Sequence, residues 1–109
     1  MSDQSFFVLT ALTEGPRHGY AMIKDVAELS GGRLRLSVGT LYGILDRLSG
    51  QAAIEVDREE IVDSRLRRYY RLTQTGRRLL SQVAARKAAD AAVASERLTR
   101  LGPIAGAAG

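Results

Sequence analysis

A chain of 109 residues with 45% apolar content has room for one domain with a modest core. It carries no cysteine and one histidine, so a disulfide framework, a thiolate metal site and a zinc set are all excluded, and no cofactor or metal is expected. A net charge of +4 and a pI of about 10.0 suit an anionic partner.

No apolar window approaches the ~18 residues of a membrane span, and the start Met1-Ser2-Asp3-Gln4-Ser5 lacks a basic signal region. A cytoplasmic protein with no membrane partner is expected. The distribution of charge is more informative than its sum. Glu55 to Asp63 holds five acids and one arginine, whereas Arg65 to Lys87 holds eight basic residues and no acid.

Taken in order, Phe6, Phe7, Val8, Leu9, Ala11 and Leu12 form a short apolar helix, expected to be almost wholly buried. It stops at Glu14-Gly15-Pro16, because proline disfavours helical geometry in its predecessor. After a turn at His18-Gly19, a second helix is expected from Tyr20 to Leu29. Met22, Val26 and Leu29 form its apolar stripe, while Lys24, Asp25 and Glu28 face outward. Ser30-Gly31-Gly32 ends it.

The stretch from Leu34 to Leu48 organises the chain. Leu41, Ile44, Leu45 and Leu48 lie on one helical stripe, with Ser37 at a cap position. Thr40, Tyr42, Gly43 and Arg47 form an opposite side that is polar or small. Two helices joined through glycines, the second presenting a polar face, follow the helix-turn-helix plan. Alone that signal is weak, and the residues beyond Leu48 strengthen it. Ile54 and Val56 alternate with Glu55 and Asp57, which opens a strand. A second strand, Leu66 to Leu72, puts Leu66, Arg68, Tyr70 and Leu72 on one face and Arg65, Arg67, Tyr69 and Arg71 on the other. A loop around Glu59 to Ser64 joins the two. Three helices and a hairpin in this order make a winged helix, with the hairpin as the wing.

Thr73 can cap a helix running from Gln74 to about Leu101, which at ~1.5 Å per residue spans ~42 Å and outruns the core. It needs a partner, and a coiled-coil-like seam is available at Leu80, Ala84, Ala91, Ala94, Leu98 and Leu101, interrupted by Lys87. The expected organisation is a winged helix-turn-helix DNA-binding domain over 1–72, a dimerisation helix over 73–101 and a flexible tail over 102–109. The fold class is mainly α with a small β-hairpin.

Three blocks now resemble a known family: LTALTEGPRHGY from Leu9, GRLRLSVGTLYGILDRL from Gly32, and RYYRLTQTGRRLL from Arg68. In that order and spacing they are similar to the PadR family of bacterial transcriptional regulators, in its small form with one C-terminal helix. The resemblance covers about residues 6–80. Two departures stand out. Gly43 replaces the proline that usually follows the GTLY motif, and Ser49-Gly50-Gln51-Ala52-Ala53-Ile54 replaces Glu-x-x-Gly-Leu-Ile, which removes volume beneath the wing at Ala53.

The resemblance implies a homodimer whose third helix enters the major groove, with Ser37, Thr40, Tyr42 and Arg47 near phosphates or base edges, and Tyr20 near the DNA surface. On the wing, Ser64, Arg65 and Arg67 near the tip are the expected contacts, since arginines at strand spacing can follow a phosphate backbone. Arg71 is expected to be structural, and the acidic run to pair with neighbouring arginines. His18 is read as a turn or helix-start residue. No catalytic constellation is present, so no enzyme is expected. The reading is a regulator, a repressor in type, that binds an inverted-repeat operator on double-stranded DNA and is relieved by a small-molecule effector or chemical signal. The alternatives are a nonspecific architectural DNA-binding dimer or a protein-interaction module.

Overall fold

Ser2 starts the first helix, α1 (Asp3–Ala11), by accepting a hydrogen bond from the Ser5 amide, while Asp3 sits favourably in the positive first turn. This computed structural model describes residues 1–103. Val8 and Leu9 of α1 are fully buried, and a 3-10 turn at Leu12–Glu14 ends the segment ahead of Pro16. Phe6 and Phe7 are only half-buried, contrary to the expectation of near-complete burial. Their rings meet edge to face at 5.4 Å.

Arg17–His18 forms a short strand β1 ahead of the expected His18-Gly19 turn, and it pairs with the wing, Arg17 opposite Tyr70 and His18 opposite Tyr69. The second helix, α2 (Gly19–Leu29), buries Met22 and Val26. Leu29 is exposed because the chain turns away there at Gly31 and Gly32, both left-handed. Arg17 holds α2 to β1 through a two-pronged bond to Asp25, 2.8 and 2.9 Å.

The third helix, α3 (Val38–Gly50), has Ser37 as its N-cap, and Leu41, Ile44, Leu45 and Leu48 are all buried, as their spacing predicts. The hairpin strands β2 (Ile54–Val62) and β3 (Arg65–Leu72) complete a three-stranded antiparallel sheet in the order β1-β3-β2. The wing is longer than its sequence suggests. Glu59 and Glu60 belong to β2, opposite Arg68 and Arg67, and the turn shrinks to Asp63-Ser64, both left-handed. That is the conformation that matches the twist of a tight hairpin. A bulge at Asp57 between Val56 and Arg58 resets the register.

The last helix, α4 (Gln74–Leu101), begins at Thr73, whose side chain accepts from the Gly76 amide. Its first turns pack on the core through Leu79 and Leu80. Ala53 is fully buried beneath the wing, and its backbone lies against Gly76 of α4, with the Leu72 side chain beside them. Gly102 ends α4 in a left-handed conformation. Residues 104–109 of the expected flexible tail lie outside the described residues.

Candidate nucleic-acid interface

The presenting face of α3 is built from its cap. Ser37 accepts the Thr40 amide at 3.1 Å and donates its hydroxyl to Thr40 Oγ1 at 2.9 Å, which fixes both side chains at the helix start. Helical geometry leaves the first-turn amides without intrahelical acceptors, and the positive end of the dipole adds to them, so this end favours an anion. Ser37, Thr40, Tyr42, Gly43 and Arg47 are all exposed. A β-carbon at Gly43 would meet nothing within 4 Å, so this position is open on the presenting face.

Tyr42 leans from α3 towards the start of α2. Its hydroxyl lies 3.1 Å from where a β-carbon of Gly19 would stand, so glycine lets the two helix N-termini converge. Tyr20, 69% exposed, stands on the next position of α2. Across from them is β3, and a cleft of about 400 Å³ between the two is lined by His18, Gly19, Tyr20, Tyr42, Arg65 and Arg67, among others. Four residues singled out from sequence, Tyr20, Tyr42, Arg65 and Arg67, therefore share one cleft. Ser64 is exposed at the hairpin turn beside it. Arg47 is separate. It lines a different depression with Ser2, Ser5 and Gln51 near the C-terminal end of α3.

Four of the five acids of the wing are engaged in ion pairs, and Asp63, at the hairpin turn, lines the cleft with Arg65 and Arg67. Arg71 meets Glu55 at 2.8 Å and Asp57 at 3.6 Å, Arg68 meets Glu59 at 3.1 Å, and Arg58 meets Asp57 at 3.1 Å and Glu60 at 2.8 Å. Arg58 also stacks 3.9 Å from the Tyr69 ring centre. Among the described residues neither Arg65 nor Arg67 has a carboxylate within ion-pair distance. The wing arginines outside ion pairs are thus the two nearest its tip, and both line the cleft.

His18, the N-cap of α2 and so a helix-start residue as read from the sequence, also lines this cleft. It packs edge to face on Tyr69 with ring centres 5.4 Å apart. Partial burial, and then the positive charges of Arg67 and Arg17, hold its pKa below the ordinary histidine value. A two-residue strand leaves no periodic signal in the sequence, so only the pairing with β3 reveals where this ring lies.

The six seam residues of α4 divide into two sets. Leu80 is half-buried against its own domain, whereas Ala84, Ala91, Ala94, Leu98 and Leu101 are exposed. Lys87 faces α1, with its ammonium 3.0 Å from Asp3 and 5.0 Å from the Phe6 ring centre. No described helix is long and apolar enough to cross a membrane.

Comparison with known proteins agrees with this architecture. A PadR family transcription regulator from Clostridium difficile superposes with a TM-score of 0.76 at 22% identity, over 89% of this chain and 99% of that one. Bacillus subtilis PadR in complex with operator DNA superposes at 0.65 with 22% identity, over 73% of this chain and 45% of that one. The transcriptional regulator Rv3488 from Mycobacterium tuberculosis is 44% identical over 55 residues, half of each chain. Across three curated relatives the chain spans between 22% and 70% of their length. The model of the transcriptional regulator PadR-like family matches residues 8–82, well over half of the chain, and the protein belongs to that family, which is one of DNA-binding regulators and not of enzymes.

Proposed function

We propose that the protein is a sequence-specific DNA-binding regulator that acts as a homodimer on an inverted-repeat operator and represses where that operator overlaps a promoter. The observation that carries this reading is the cleft in which Tyr20, Tyr42, Arg65 and Arg67 meet, with both arginines free of carboxylates while the other wing arginines are paired. A phosphate backbone entering there meets hydroxyls, two guanidinium groups and the start of α2, and the exposed face of α3 is then turned to the neighbouring major groove. The operator complex of Bacillus subtilis PadR supports extending this chemistry to DNA.

Relief by a small-molecule or chemical signal completes the proposal. A signal that displaces α4 acts on α3 directly, because Thr73 at the head of α4 donates its hydroxyl to the Ala52 carbonyl and its amide to the Ala53 carbonyl, in the loop after α3. The deciding experiment is a salt titration of binding to the gene's own upstream region against random duplex. A specific regulator retains at least a ~10³-fold preference near physiological salt. Equal affinity with the same salt slope identifies a nonspecific architectural binder, and no affinity for either duplex leaves a protein-interaction module.

A further inference from the structure

Ile61 and Leu66 stand opposite each other in the hairpin ladder, one step in from the Val62–Arg65 pair that borders the turn. Directly opposed residues of an antiparallel pair project on the same side. Both are out in solvent, Ile61 78% and Leu66 61% exposed. Neither belongs to the core or to the partly buried side chains packed around it. Single apolar side chains scattered over a surface need no explanation, but two adjoining aliphatic ones near the end of a projecting hairpin do.

Their surroundings say what covers them. Leu66 lines the cleft together with Arg65 and Arg67, the two wing arginines outside ion pairs, while Arg68 on the same side as Leu66 is held by Glu59 at 3.1 Å. An aliphatic pair bordered by free guanidinium groups suits a surface that is apolar between rows of negative charge. The minor groove of DNA has that character, with sugars and base edges between phosphates. A phosphate backbone lying in the cleft would separate a major groove on the α3 side from a minor groove on the wing side.

We propose that Ile61 and Leu66 form an aliphatic wedge that enters the minor groove next to the major groove facing α3, opens a base step there and bends the DNA. Asp63 at the turn is repelled by phosphate, so the hairpin meets the groove with the side that carries Leu66 and not with its tip. The wedge rests on the regulator reading and adds a second readout to it. Pyrimidine–purine steps such as TA unstack easily and stiff A-tracts do not, so selectivity extends to base pairs that α3 never touches.

Ile61→Ser and Leu66→Ser, made singly and together, test this. Both side chains are exposed, so the variants are expected to stay folded, which melting curves check. The probes are random duplex and circularly permuted fragments of the gene's own upstream region, whose gel mobility reports a bend and its position. The parent is expected to bend the upstream fragment. The double variant is expected to leave it nearly straight and to bind it more weakly, by about 10-fold for each side chain removed. It keeps the parent's salt slope, because no cation is lost. A parent that prefers the upstream region yet leaves it straight overturns the wedge and leaves the regulator reading standing, as does a double variant that keeps both affinity and bend. Loss of self-association in the double variant, measured by sedimentation, assigns the pair to a second copy and also overturns the wedge. A parent that binds neither duplex removes the regulator reading and the wedge with it.

Discussion

Gly76 lies against the backbone of Ala53 so closely that a β-carbon there would stand 1.9 Å from the Ala53 carbonyl oxygen and 2.8 Å from its carbonyl carbon. Backbone atoms cannot swing aside as a flexible side chain would. The first turn of α4 and the loop leaving α3 therefore form one rigid joint, closed by the Thr73 hydroxyl on Ala52 at 2.5 Å and the Thr73 amide on Ala53 at 3.1 Å. Gly76→Ala is expected to destabilise the domain by about 2–4 kcal/mol, as backbone-driven overpacking does. Thr73→Val, which loses the cap and the Ala52 bond, is expected to cost about 1–2 kcal/mol. Urea denaturation of both variants measures this, and a neutral Gly76→Ala would refute the close approach.

The pairing pattern on the wing separates arginines that sequence alone ranks together. Arg67→Ala is expected to reduce the slope of log affinity against log salt by about 0.9, the value for one phosphate contact, for operator and random duplex alike. Arg68→Ala should change the slope much less, because that guanidinium is engaged with Glu59. Equal slopes for Arg67→Ala and the parent would take Arg67 off the DNA.

The hairpin turn offers a way to uncouple stability from binding. Asp63 and Ser64 both adopt left-handed geometry, with φ of 51° and 62°, which favours glycine at the second position. Ser64→Gly is expected to stabilise the protein by about 1 kcal/mol. If the Ser64 hydroxyl donates to phosphate, the same variant binds the operator about 2–10-fold more weakly. Thermal unfolding and an affinity measurement on one sample test both halves, and undiminished affinity removes Ser64 from the contact surface.

Much of this architecture could be read from the sequence because it obeys one-dimensional periodicity. Leu41, Ile44, Leu45 and Leu48 announce α3, and all four are buried. What stayed hidden depends on distant partners. Glu59 and Glu60 resemble loop residues until Arg68 and Arg67 stand opposite them in the ladder. Lys87 interrupts a heptad on paper, yet its partner is Asp3, at the other end of the chain. The convergence of Tyr42 on Gly19 depends on the crossing of two helices, which spacing along either one does not encode.

His18 is expected to make the cleft sensitive to pH. Burial and the nearby Arg67 and Arg17 depress its pKa, while Asp25 and Glu60 act weakly in the other direction and Tyr69 covers one side of the ring. A histidine with a depressed folded pKa contributes stability that is present above its unfolded value, ~6.5, and is lost as pH falls through the folded value. The free protein is therefore expected to unfold more easily as pH drops from 7 towards 5. A DNA phosphate in the cleft offsets the charge of Arg67 and favours protonated His18, so binding takes up a proton and operator affinity should rise over the same interval. His18→Gln should abolish both trends. Melting curves and binding isotherms between pH 5 and 7 provide the measurement. An affinity that falls with acidification in the parent, or that rises equally in His18→Gln, would place the phosphate elsewhere.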